Sequence, residues 1–164
     1  MTSQARIGSD VVVRLASAAD AEHLLAGVAA LHAELVGSDD GASSSAQAVA
    51  HEIASGGETG FAVVALASGG TACVGVATAS IQTAIRTSGP YLLIQELWTA
   101  PAYRSLGVGS RMLAALRAEA VARGVKTIEV GMPRRSFPAV DRTIAFYTAE
   151  GFEEVGLRMR RSAS

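Results

Sequence analysis

The chain has 164 residues, enough for one domain with a sizeable core, and 49% hydrophobic against 18% charged residues marks it as globular rather than disordered. Its 14 basic and 15 acidic residues leave a formal net charge of -1, which offers no global attraction for nucleic acid or an anionic membrane, so any phosphate binding must be local. The single cysteine, Cys73, excludes an internal disulfide and a multi-cysteine zinc site, and without a signal-like or bilayer-spanning apolar run the expected location is the cytoplasm.

Met1 to Asp10 is small and polar and reads as a loose tail. The domain proper is expected over residues 11–164. Val11 to Leu15, rich in β-branched residues, predicts a first strand. Ser17 or Asp20 is placed to cap a helix whose apolar positions Leu24, Leu25, Val28, Leu31 and Leu35 recur at helical spacing. Gly37 to Ser45 reads as a flexible loop carrying Asp39 and Asp40, followed by a short helix over Ala46–Ser55. Phe61–Leu66 and Ala72–Ile85 form a predicted hairpin around Ser68-Gly69-Gly70.

Tyr91 to Thr99 predicts an apolar strand that runs through a turn at Ala100-Pro101 into a glycine-bearing loop. That loop opens a helix to about Arg123, with Val108, Met112, Leu113, Leu116 and Ala120 on its apolar stripe and Gly124 as its stop. Val125–Val130 predicts the next strand. A basic, proline-containing loop over Met132–Ala139 follows, then a helix capped by Asp141 and running to Glu150, and a last strand over Phe152–Met159. Alternating strands and helices with one hairpin predict an α/β (α+β) domain with a mixed, mostly antiparallel central sheet flanked by helices.

The strand, glycine loop and helix start at residues 95–110 make an anion cradle. Amides at a helix N-terminus are unpaired and sit at the positive end of the helix dipole, and Gly107 and Gly109 would let a phosphate approach them without meeting a Cβ. Three readings compete for it. A P-loop requires Lys followed by Ser or Thr after its last glycine, where this chain has Ser110-Arg111. A dinucleotide fingerprint finds two of its glycines and a distant acid, Glu129, but meets Met112 at the third glycine position.

The third pattern, Arg104-Ser105-Leu106-Gly107-Val108-Gly109 preceded by Leu97-Trp98-Thr99-Ala100-Pro101-Ala102-Tyr103, resembles the acetyl-CoA-binding motif of the GCN5-related N-acetyltransferase (GNAT) family. A second segment, Thr143-Ile144-Ala145-Phe146-Tyr147-Thr148-Ala149-Glu150-Gly151-Phe152, is similar to that family's "A-x-x-F-Y-x-x-x-G-F", with Thr in place of the usual Ala. The resemblance extends from about Val11 to the C-terminus. It implies a GNAT-like fold and direct transfer of an acetyl group from acetyl-CoA to a primary amine, on a small molecule or a peptide N-terminus, within a ternary complex. It implies that the pyrophosphate rests on amides of Arg104, Ser105, Leu106, Gly107, Val108, Gly109 and Ser110. The pantetheine arm would bond to backbone around Leu97, Trp98 and Thr99, beside a bulge that splays the strand from its neighbour. Dimers are common among similar proteins.

An amine with a pKa near ~10 must lose a proton before it attacks. Glu96 is the candidate base, because the family often has an acid just before this Leu; Gln95 stands where many members carry a second acid. Tyr147, matching the Tyr of the "F-Y" pair, is the candidate acid for the departing thiolate, and an amide at Leu97 or Trp98 is a candidate oxyanion donor. His23, His32 and His51 lack ligand-like spacing, so no metal site is expected. Cys73 reads as a small buried hydrophobe rather than an acyl carrier. Arg134-Arg135 is either a phosphate grip or a solvated pair, and Trp98 either shapes the acceptor pocket or packs beneath it. A non-catalytic CoA-binding module on the same fold is the alternative.

Overall fold

The computed structural model describes residues 10–37, 44–67, 69–156 and 158–163. Its sheet has five strands in chain order: β1 (Val11–Leu15), β2 (Gly60–Ala67), β3 (Cys73–Ala84), β4 (Gly89–Thr99) and β5 (Ile128–Val130). The first three junctions are antiparallel and β4–β5 is parallel. Four helices flank the sheet: α1 (Ala21–Val36), α2 (Ser44–Ser55), α3 (Val108–Ala122) and α4 (Val140–Ala149). The fold class is therefore the one expected.

Side chains alternate across a strand, and here both faces are covered. One core packs Phe61, Val63, Ala65, Ala77, Ala79, Leu92 and Ile94 against Val108, Met112, Leu113, Leu116 and Ala120 of α3. The other packs Ala62, Val64, Leu66 and Val76 against Leu24, Ala50 and Ala54 of α1 and α2. That is why all of β2 from Gly60 to Leu66 is buried. Two glycines permit the closest approaches. A Cβ on Gly27 of α1 would lie 2.5 Å from Val76, and one on Gly75 would lie 2.9 Å from Met112.

The helix expected from Ser17 or Asp20 begins with a 3-10 turn, Ala18–Asp20. Asp20, only 3% exposed, collects the Ser17 amide (2.8 Å), the Ser17 hydroxyl (2.9 Å) and both ends of the Arg14 guanidinium (2.8 and 2.9 Å). The Arg14 hydrogen bond, assisted by those of Ser17, holds this carboxyl well below the usual range. Helix α2 starts at Ser44 rather than Ala46. Asp39 and Asp40, like the tail before Asp10, lie outside the described residues. In α4 the cap is Ala139, and Asp141 sits in the first turn, where its charge still faces the positive helix end.

Two expectations about the end of the chain need correction. β5 begins at Ile128, not Val125. Gly124 ends α3 in a left-handed conformation (φ 75°), and the Val125 amide bonds back to the Ala120 carbonyl at 2.9 Å, so Val125 closes the helix before any strand starts. The strand expected over Phe152–Met159 does not form among the described residues. Phe152 is tied to the end of α4, its amide on the Tyr147 carbonyl at 3.0 Å, and Gly156 breaks the extended run at φ 147°. Val155 and Met159 are left 86% and 98% exposed.

Candidate active site

One extra residue in β4 creates the site. Along the β3–β4 junction Ala79 pairs with Ile94 but Thr78 pairs with Glu96, so Gln95 is a bulge. β5 pairs with β4 only from Leu92 to Ile94. Beyond Ile94 the two parallel strands part, and the split opens into a cleft of about 1290 Å³. Its walls come from Ile94–Thr99 of β4, the glycine loop, Val130 at the end of β5 with residues 131–134 after it, and Thr143, Ala145, Phe146 and Tyr147 of α4.

The bulge also changes which groups face the split. The Leu92 amide bonds across to the Thr127 carbonyl on the β5 side, whereas the Ala100 amide bonds to Val74 on the β3 side at 2.8 Å. Amides alternate in direction along a strand, so the Leu97 and Thr99 amides turn toward the open slot and Trp98 toward β3. The bulge likewise puts Glu96 on the same sheet face as Thr78 and Trp98, the face covered by α1 and α2. Were β4 regular through Gln95, Glu96 would share the face of Ile94 and point into the α3 core.

Glu96 is half-buried and accepts a hydrogen bond from the hydroxyl of Thr78, itself 2% exposed. Its partner is thus a neutral hydroxyl. Trp98 packs against the α1–α2 core, and its indole N–H donates to Glu34 of α1 at 3.2 Å. The same Glu34 oxygen receives the Arg104 guanidinium at 2.6 Å, while Arg104 Nε donates to the Thr99 carbonyl at 3.0 Å. Arg104 therefore braces the loop between β4 and α1.

At the loop, Gly107 is the left-handed N-cap of α3 (φ 78°), a conformation costly for any residue with a Cβ. A Cβ there would meet nothing within 4 Å. Gly109 differs, since its Cβ would lie 3.1 Å from the Phe146 ring. The missing Cβ thus lets α4 pack closely on the start of α3. Ser105 shares the left-handed region at φ 60°. The first bond of α3 runs from the Arg111 amide to the Gly107 carbonyl (3.1 Å), leaving the preceding first-turn amides without a helical acceptor. The Ser110 hydroxyl already holds one anion, the Glu150 carboxylate.

Tyr147 stands on α4 between Phe146 and Phe152, with ring centroids 5.1 and 5.4 Å away in edge-to-face contact. It is 8% exposed yet lines the cleft, and among the described residues its hydroxyl has no hydrogen-bond partner. Burial pushes the phenol up to about 12. Burial also raises the thiol of Cys73, which packs against the α1–α2 core, donates to the Gly75 carbonyl at 3.3 Å and does not line the cleft.

Of the sequence candidates, Glu96, Leu97, Trp98, Thr99, Arg104, Ser105, Gly107, Val108, Gly109, Ser110 and Tyr147 all line this one cleft; Leu106 does not. Glu129, the acid of the dinucleotide reading, lies outside it. Arg86 grips that carboxylate in a bidentate pair and, with a smaller contribution from Arg158, holds it below its ordinary range. No group of three or more His, Cys, Asp or Glu suited to a metal occurs among the described residues, and no helix there is long and apolar enough to cross a membrane. Thr78, Glu34 and Phe146 were not foreseen in these roles. The hairpin register would have offered Thr78, but the other two contacts join elements far apart in sequence.

Across the split strand, loop and helix, the Acetyltransferase (GNAT) family profile matches residues 26–152. The chain belongs to the GNAT acetyltransferase family. Comparison with curated protein sequences finds no match. Among solved structures, a possible acetyltransferase from Clostridium difficile 630 superposes with a TM-score of 0.75 at 13% identity, covering 94% of this chain and 97% of the other. The aminoglycoside N-acetyltransferase AAC(6')-Iy in complex with CoA gives 0.73 at 21% identity, covering 94% and 95%. An aminoglycoside acetyltransferase from an uncultured soil metagenomic sample, in complex with trehalose, gives 0.75 at 13% identity, covering 95% and 98%.

Proposed function

We propose that this protein is an acetyl-CoA-dependent N-acetyltransferase that moves the acetyl group directly to a primary amine held in the same cleft. The observation that carries this reading is the convergence, on one split strand, of a carboxylate, a slot-facing amide, an unpartnered phenol and a helix N-terminus. Acetyl-CoA supplies the activated acyl group as a thioester. The first-turn amides of α3, beside Gly107, suit its pyrophosphate. The Leu97 and Thr99 amides suit the amide-bearing arm, and the Leu97 amide, facing the slot beside the bulge, is the better of the two oxyanion candidates.

Glu96 takes the proton of the ammonium form, directly or through one water, so that the neutral amine attacks the thioester carbonyl. The C–N bond forms to give a tetrahedral oxyanion; its nitrogen loses a second proton to solvent, the C–S bond breaks, and the thiolate leaves hydrogen-bonded to the Tyr147 hydroxyl. The products are the N-acetyl amine and CoA, whose thiolate takes its proton from solvent. A phenol near 12 is fully protonated throughout the physiological range. Full transfer to a thiol with an ordinary pKa near ~8.5 is uphill by about 5 kcal/mol. The phenol therefore acts best by hydrogen bonding to sulfur as charge develops there. Cys73, half-buried and outside the cleft lining, supports direct transfer over an acyl-enzyme route.

Tyr147→Phe tests the acid. It is expected to lower kcat by about 10²-fold with an unchanged dissociation constant for acetyl-CoA. Since the phenol titrates only near 12, wild-type activity should show no alkaline decline from this group below about pH 10. An unchanged kcat in Tyr147→Phe across pH would remove the residue from the mechanism.

A further inference from the structure

The charge lining the cleft is one-sided. Among the described residues Arg104, Arg134, Arg142, Arg158 and Arg160 line it, against Glu34 and Glu96. Both carboxylates are engaged, Glu34 by Arg104 and Trp98 and Glu96 by Thr78. Of the cations only Arg104 is paired; Arg134, Arg142, Arg158 and Arg160 have no hydrogen-bond or ion-pair partner for their side chains among the described residues. A polycationic acceptor would enter this cleft against the field of four unneutralised guanidinium groups. An anionic one would be drawn in.

Position separates these arginines. Arg134 and Arg142 lie on the connection to α4 and in its first turn. Arg158 lies elsewhere, its Nη1 3.2 Å from the point where a Cβ on Gly131 would sit. Gly131 follows Val130, which pairs with Ile94. One step past that pair on β4 is the Gln95 bulge and the next residue is Glu96. The Arg158 cation thus stands across the split from the candidate base, at the depth where acyl transfer would occur. The glycine loop, beyond Thr99, is further along β4. A carboxylate that feels its field, Glu129, is already paired with Arg86.

We propose that the acceptor is a small amine that also carries a carboxylate, of the amino-acid type, and that Arg158, with Arg160 beside it, binds that carboxylate while Glu96 faces the amine. The planar fork of a guanidinium matches a carboxylate in two parallel hydrogen bonds, fixing the orientation of a short ligand. This rests on the acetyltransferase reading above and narrows its substrate.

The test is steady-state acetylation of matched pairs, each standard amino acid against its α-amide, with a polycationic aminoglycoside as a third arm. Wild type and Arg158→Gln are compared, and acetyl-CoA affinity is measured for both by calorimetry. Wild type is expected to favour the carboxylate member of at least one pair. In Arg158→Gln, kcat/KM for that member should fall about tenfold to a hundredfold, while the amide member and acetyl-CoA affinity stay unchanged. Arg160→Gln should show the same selectivity in smaller measure. Turnover of only the amides or the aminoglycoside, or of no amino acid at all while acetyl-CoA binds normally, would overturn the acceptor proposal alone. Loss of acetyl-CoA affinity in Arg158→Gln would reassign the arginine to the cofactor. No acetyl-CoA binding by wild type would overturn the parent reading, and this proposal with it.

Discussion

The two halves of β4 belong to one strand and do different work. From Leu92 to Ile94 it is hydrogen-bonded on both sides, to β3 and β5, and its side chains are almost completely buried. From Glu96 to Thr99 it is paired only with β3, and all four residues line the cleft. A single inserted residue, Gln95, separates them. It reverses the direction of the amides and moves a carboxylate from the core face to the face covered by α1 and α2. The difference teaches that the site is made by interrupting the sheet rather than by decorating it. Backbone groups that would have bonded to β5 are left for a ligand.

Substitutions on either side of the bulge should therefore fail in different ways. The largest effect is expected from Glu96→Gln in the open half. It should cut kcat by about 10²- to 10⁴-fold, most severely at low pH where the amine is most fully protonated, with little change in thermal stability. An equal loss at every pH would make Glu96 a binding group instead. Leu92→Ala in the closed half should do the opposite, costing about 2–5 kcal/mol of unfolding free energy because Leu92 is fully buried, while kcat of the surviving folded protein changes little. Chemical denaturation with Leu97→Ala alongside sharpens the contrast, since that half-buried side chain should cost less. Smallest in stability is Gly107→Val, about 1–2 kcal/mol for forcing a β-branched residue into the left-handed region. Calorimetry should show acetyl-CoA affinity lowered by about tenfold or more, and normal affinity would remove Gly107 from the cradle.

Much of this was legible in the sequence where local chemistry dictates geometry. Pro101 and the stripe Val108–Met112–Leu116 mark a turn and a buried helix face from residue types alone, and the structure has both. The contact of Gly109 with Phe146 was not legible, because Phe146 lies in a helix some thirty-seven residues later. Gly27 gave no signal at all, as only the packing of α1 on Val76 requires it. The last strand was misread for a related cause. Phe152–Met159 has strand-like composition, but Phe152 is committed to α4 and Gly156 interrupts the rest. Arg158 could not be placed across from Glu96 until the register of β5 and the path of that segment were known.

The account stands or falls on what the split between β4 and β5 holds. The most direct measurement is a calorimetric titration of the purified protein with acetyl-CoA, CoA and NADH in parallel. The account predicts saturable, one-to-one binding of acetyl-CoA and CoA and none of NADH. A folded protein that binds NADH in their place, or binds none of the three, would contradict it.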